Sequence, residues 1–282
     1  STATTWTLPA VSGNTGVVFK LVNRGTNIVT VQRAGSDTIY NQGTISASPM
    51  LAPGASTILL NDGTYWYALV PISNPAVTFD AVGTAYTNTT GGSSISGSGS
   101  HAATAGATVF VYVLVEASNN GFSTWTRTAT YNGTSMTSVS VLNNANVFGN
   151  IGWLELFMLT GAPSGSKTWN ISISGGGSTI NAVYANSISY MNANYMSSGV
   201  TRSNTSSSSL TTTTLPSGTN HMMLQAFGIW GNSSVALSSY SQTSRYNTGN
   251  MVDTNGDDNV LLVGDAAGSL SGVGFTATSA NN

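Results

Sequence analysis

The stretch Ala107-Thr-Val-Phe-Val-Tyr-Val-Leu-Val-Glu116 is almost continuously apolar and rich in β-branched and aromatic residues. It is too short to span a membrane, which takes about 20 apolar residues. Its Val-rich character disfavours a helix. Such a run reads as a strand covered on both faces, as in a sandwich core. Trp153–Thr160 has the same character. Outward from these two runs the chain repeats one pattern: a short apolar or alternating stretch, then Gly, Asn or Ser. No window shows the 3.6-residue apolar period of a helix. The expectation is an all-β protein.

Val17–Val22, Ile28–Arg33, Ser56–Leu60 and Tyr65–Val70 are the first expected strands. Asn23-Arg24-Gly25-Thr26 reads as a tight turn between the first two. Asp62-Gly63 between the last two is a strong hairpin signal. Residues 1–72 therefore read as a small all-β module, hairpin- or barrel-like, and Pro71 and Pro75 bracket its end. Residues 75–282 form the second expected domain. Val77–Val82 opens it, and the Gly- and Ser-rich Tyr86–Ser100 reads as a long surface loop. Asn132-Gly133 marks another hairpin. About a dozen strands over this length point to a two-sheet, jelly-roll-like β-sandwich rather than an immunoglobulin sandwich. No repeat of fixed period argues for a propeller or solenoid.

Composition narrows the function. Charged residues make up 6% of the 282 residues, against about 25% in an ordinary soluble domain. Solubility rests on Ser, Thr, Asn and Gly. Lys and Arg number seven, with net charge −2 and no basic run, so nucleic acid is excluded as a partner. With no cysteine there are no disulfides, thiolate metal sites or thiol nucleophiles. No run is long enough for membrane insertion, and Ser1–Pro9 lacks the basic and apolar parts of a signal peptide. The expectation is a protein that acts outside the cell, with any leader removed or with release by lysis.

Few residues can carry chemistry. His101 and His221 lack the close spacing of a zinc site and read as core or loop histidines. Glu116 and Glu155 are the only glutamates, each at or within an apolar run. Two such carboxyls with raised pKa values could hydrolyse a glycoside; equally, period-2 alternation turns Glu155 outward and Glu116 marks a strand end. Asp253, Asn255 and Asp257 place oxygen ligands at alternate positions, which suits calcium. Gly256 is fourth in that loop and Gly264 twelfth, so it is not an EF-hand, and a solvated acidic loop is the plain alternative. Asn88, Asn132, Asn170, Asn204 and Asn232 head sequons that so Asn- and Ser-rich a chain produces by chance. Trp125, Tyr195 and Tyr246 lie in or beside long polar loops and are the candidate glycan-stacking residues, though most aromatics of a sandwich serve its core. No cofactor is implied.

Gly16-Val-Val-Phe-Lys-Leu-Val-Asn-Arg-Gly25, Ile28-Val-Thr-Val31, Asp37-Thr-Ile39, Leu51-Ala-Pro-Gly54 and Asn61-Asp-Gly-Thr-Tyr-Trp66 together resemble a small β module of bacteriophage tail-fibre and minor tail proteins. Val77–Gly83, Tyr131-Asn-Gly-Thr-Ser-Met136, Trp153-Leu-Glu-Leu-Phe157, Ala162-Pro-Ser-Gly165 and Gly264-Asp-Ala-Ala-Gly268 resemble a jelly-roll-like domain of phage virion and bacterial surface proteins. The resemblance implies a viral protein on the virion exterior, a non-enzymatic structural and adhesion component that helps attachment to the host. The first module would dock on other virion proteins, and the second domain would meet bacterial surface glycan. A capsid-surface head fibre or decoration protein is the alternative, and a glycan-degrading enzyme built on Glu116 and Glu155 the third reading. A surface this poor in charge repels copies of itself weakly, so a homo-oligomer is expected, a trimer for a fibre.

Overall fold

Short runs punctuated by Gly and Asn fold as strands throughout the described chain, with one 3-10 turn at Phe122–Thr124. The computed structural model describes every residue except 1–3, 26–27, 42–43, 47, 70–74, 119–121, 148–149, 194–208, 216, 218–219, 232–236, 250, 254–255 and 280–282. The chain divides into two units, Ser1–Ala76 and Val77–Asn282, with the boundary just after Pro75.

The first unit holds β1 (Thr4–Thr7), β2 (Val18–Val22), β3 (Val29–Gln32), β4 (Ile39–Asn41), β5 (Thr44–Ser46), β6 (Met50–Leu51), β7 (Ser56–Asn61) and β8 (Trp66–Ala68). They form two sheets, β1-β3-β6 and β2-β7-β8-β4-β5. The described part of the turn after β2 has Gly25 N–H donating to Asn23 Oδ1 at 3.0 Å, and Thr26 lies outside the described residues. The turn does not close a hairpin: β2 pairs with β7 and β3 with β1 and β6, and Asn23 Nδ2 donates across to Leu51 O. The Asp62-Gly63 hairpin joins β7 to β8, and Asp62 Oδ1 accepts the Thr64 and Tyr65 N–H groups at 2.8 and 2.7 Å. Trp66 is fully buried among Val31, Ile39, Leu51 and Leu59, its indole N–H on Pro9 O. One aromatic thus supplies much of a small core.

The second unit opens with β9 (Thr78–Val82), β10 (Tyr86–Asn88), β11 (Ile95–Ala103), β12 (Thr108–Ser118), β13 (Thr126–Tyr131), β14 (Thr134–Ser135), β15 (Thr137–Val147), β16 (Asn150–Leu159), β17 (Gly165–Ser174) and β18 (Ile180–Met191). A central sheet runs β10-β18-β12-β16-β15, with β9 also on β18, and a front sheet runs β11-β17-β13-β14. The pairing is nested and antiparallel: β10 with β18, β11 with β17, β12 with β16, β13 with β14. Asn132 and Gly133 both have positive φ (49° and 76°), as a type I′ hairpin turn demands.

Tyr86–Ser100, expected as a loop, contains β10 and most of β11. Along β11 the inward positions are Ile95, Gly97, Gly99, His101 and Ala103, alternating with exposed Ser96, Ser98, Ser100 and Ala102. The glycines sit inward because aromatic rings fill the space. A Cβ on Gly97 would lie 2.5 Å from the Tyr86 ring, and one on Gly99 2.6 Å from Trp169.

Among the described residues four sheets, rather than two, build this unit. β19 (Ser209–Thr211), β20 (Met222–Gly231), β21 (Leu237–Ser238), β22 (Thr243–Asn247), β23 (Met251–Val252), β24 (Asp258–Ala267) and β25 (Thr276–Ser279) make a third sheet, β20-β24-β22 with β23 on β24, and an outer sheet, β19-β25-β21. Odd residues of β12 (Val109, Val111, Val113, Val115) pack toward Trp169 and Ile171 of the front sheet. Even residues (Phe110, Tyr112, Leu114) pack toward Leu261 and Val263 of the third sheet. Val260 and Leu262 on the other face of β24 meet Phe275 and Ala277 of the outer sheet. The C-terminal strands add layers, so β12 is covered on both faces, as its continuous apolar run requires.

Candidate functional site

The two glutamates do not form a pair. Glu155 sits opposite Val113 and shares its face, toward the front sheet. Its carboxylate accepts Arg127 Nε at 2.8 Å and Ser138 Oγ at 2.6 Å, and it is buried. Arg127 also donates to Phe122 O and Trp125 O and stacks 3.6 Å over the Phe122 ring. Glu116, an even residue of β12, projects from the opposite face toward the third sheet. A retaining or inverting glycosidase needs both carboxyls facing one sugar, and the sheet itself separates these two.

The aromatic candidates do not share a surface among the described residues. Trp125 is 4% exposed, packed against Trp153 at 6.1 Å and over Gly176, and presents no open face to a sugar. Tyr246 is half-buried on β22 against the third layer, with burial raising its hydroxyl pKa and Thr87 hydrogen-bonding it. Tyr195 lies outside the described residues. A half-exposed aromatic face lies in the first unit: Tyr40 stacks on Tyr67 at 5.2 Å, and Tyr65 meets both edge-on. Alternation with buried Ile39 and Trp66 puts these tyrosines outward, a signal present in the sequence as Tyr65-Trp66-Tyr67.

Acidic groups converge between the central and third sheets. Glu116, Asp253 and Asp257 bring one carboxylate oxygen each to within 4.8 Å of one another. Asn255 lies outside the described residues, so the expected calcium trio is represented by its two aspartates, and Glu116 joins them from another sheet. The hairpin that carries the aspartates is tight. Asp253 N–H donates to Asp257 O, Asp257 N–H donates to Asp253 Oδ1 at 3.0 Å, and Gly256 turns between them with φ 82°. A bulge in the β12–β18 ladder falls at Glu116/Ala117, leaving Asn181 without an opposite residue. Bulges re-aim side chains. Burial raises the Asp257 pKa, the Asp253 charge raises it further, and a hydrogen bond with Glu116 opposes them. Burial likewise raises the Tyr184 hydroxyl, which stands beside Asn259 and feels Asp253, Glu116 and Asp258.

The opposite end of the same layer is closed by an ion pair. Asp265 accepts Arg245 Nε at 2.7 Å and Nη2 at 3.1 Å, with the Tyr190 hydroxyl at 2.6 Å, and Arg245 lies 3.8 Å over Phe79.

His101 is no ligand. It is buried on β11, its ring nitrogens 3.0 Å from Ser187 Oγ and 2.8 Å from Ser189 Oγ. Ser189 Oγ donates to Asp80, which also takes both Thr104 donors. Burial holds the imidazole below its ordinary pKa, so it is neutral near pH 7. The chain thus has a His, Ser and Asp set that spacing does not reveal. Its histidine and serines are buried between layers, while Asp80 is half-buried.

The front sheet's outer face carries a shallow depression lined by Ser96, Ser98, Thr128, Thr130, Asn170 and Ser172. Its polar groups are hydroxyls and amides. No helix among the described residues is long and apolar enough to cross a membrane. Comparison with known proteins finds no matching family, no matching curated protein and no matching solved structure.

Proposed function

We propose that this chain is a structural and adhesion component of a bacteriophage virion exterior, of the minor tail or tail-fibre kind. The observation that carries the reading is where the reactive groups sit. Glu155, Asp265 and His101 are locked between layers by Arg127, Arg245 and two serines, while the outer depression offers only hydroxyls and amides. Such a surface holds a partner by many weak hydrogen bonds and moves no proton at neutral pH. The nested pairing of eight strands supports a jelly-roll reading of the first two layers.

The half-exposed tyrosine face of the first unit suits docking on other virion proteins, since interfaces are rich in Tyr. Bacterial surface glycan is the ligand that fits the hydroxyl-lined face. The assembly is a homo-oligomer, a trimer in a fibre. A head-fibre or decoration protein would use the same parts with a different docking site.

Gold-labelled antibody against this chain, applied to purified phage particles, tests the reading. Label on the tail or its fibres is the expected result, label on the head selects the capsid-surface alternative, and unlabelled particles overturn both.

A further inference from the structure

We infer that Glu116, Asp253, Asp257 and Asn259 form a calcium site that ties the central sheet to the third sheet. The inference does not depend on where the chain sits in a virion.

The carboxylates alone would be an acidic cluster. The independent observation is Asn259. It is fully buried, its carbonyl oxygen has no hydrogen-bond partner, and its amide nitrogen meets only the Tyr184 hydroxyl. Buried amides in folded proteins are nearly always bonded. Along β24, Asn259 continues the row of Leu261 and Val263, and along β12, Glu116 continues the row of Phe110, Tyr112 and Leu114. Both rows face the same layer, so the Asn259 side chain points into the space that Glu116 enters from the other side. Tyr184 marks the spot: its hydroxyl stands beside Asn259 within the field of Asp253 and Glu116.

The donor set selects the ion. Three carboxylates and an amide oxygen, with no His or Cys, are hard ligands for a hard cation. Calcium tolerates irregular oxygen cages of six to eight ligands, whereas magnesium demands a near-octahedral shell and keeps its waters. A site assembled from two sheets and the flanking Asp253 and Asp257, with a buried amide, fits the first. Bound there, the ion would neutralise the inward carboxylates and pin the β23–β24 hairpin to β12. That end of the layer would then match the other end, where Arg245 does this for Asp265.

The test uses the full chain, stripped with EGTA. Calorimetric titration is expected to find one calcium per chain. Thermal unfolding of the second unit is expected to rise by about 5–10 °C with calcium a hundredfold above its dissociation constant. Terbium should emit when Tyr184 or Trp230 is excited, and calcium should quench that emission. Glu116→Gln and Asp257→Asn should each weaken calcium binding at least tenfold and remove most of the calcium-dependent shift. If Glu116→Gln fails to fold, Asp257→Asn, on the half-buried turn, decides the matter. Identical melting in EGTA and millimolar calcium, magnesium bound more tightly than calcium, or binding untouched by Asp257→Asn would overturn the assignment.

Discussion

Replacing Arg127 with alanine probes the interior most directly. Arg127 is the partner of a Glu155 side chain only 3% exposed, and its loss leaves that carboxylate with Ser138 alone. Removing one member of a buried pair costs about 3–5 kcal/mol, because the remaining charge is stranded in a poorly solvating place. Arg127 also holds the carbonyls of Phe122 and Trp125, so the local turn loosens with it. We expect Arg127→Ala to lose about 4 kcal/mol, a large part of the 5–15 kcal/mol typical of a domain. Adding Glu155→Gln removes the stranded charge while keeping an acceptor for Ser138. The double variant should therefore recover about 1.5–3 kcal/mol relative to Arg127→Ala, a coupling typical of residues in direct contact. Urea unfolding followed by tryptophan fluorescence reads this well, since Trp125 and Trp153 pack beside the Phe122 ring that Arg127 covers. A loss under about 1 kcal/mol for Arg127→Ala, with no recovery in the double variant, would mean the pair behaves as a solvated surface bridge.

Acid should weaken the second unit in two stages. His101 is held below its ordinary value of 6.5 chiefly by burial, so the unfolded chain takes up a proton that the fold resists, and stability falls as pH drops below 6.5. Asp80 is a second contributor. Burial raises its pKa, but hydrogen bonds from Ser189 and Thr104 outweigh that and hold it below 3.8, so its share is lost at lower pH still. Urea midpoints measured from pH 8 to 4 should decline less steeply near pH 6 in His101→Gln, and parallel curves would contradict the assignment. Gly176→Ala puts a Cβ 2.0 Å from the Trp125 ring and should cost about 1–3 kcal/mol by overpacking, seen as a lower thermal midpoint with shifted tryptophan emission.

Strand identity was legible where local chemistry speaks for itself. The apolar run 107–116 and the Asn132-Gly133 and Asp62-Gly63 turns carry their conformations in their own residues. The segment 86–100 was not legible, because its inward positions are glycines, made room for by Tyr86 and Trp169 rather than by any hydrophobic pattern. Nor could the sequence tell which sheet a strand joins. Glu116 and Glu155 are assigned to opposite faces only once the β12–β16 register is known, since Glu155 stands opposite Val113, an odd number of residues from Glu116. The same blindness hid Glu116 from Asp253, which is 137 positions away in the chain and meets it only through layer stacking. The link from His101 to Ser189 and Asp80 escaped notice for the same reason.

The nested order of the strands has a consequence in time. Tyr86 finds its ladder partner in Ala185, about a hundred residues further along the chain. A ribosome adding roughly 5–20 residues per second needs about 5–20 s to make that partner. Throughout that interval the apolar β12 waits without its covering layers, in a chain with almost no charged gatekeepers to keep copies apart. Slow, all-at-once maturation after release from the ribosome, and clumping of nascent chains cut short before residue 180, are the natural outcome of a fold whose β10 closes against β18.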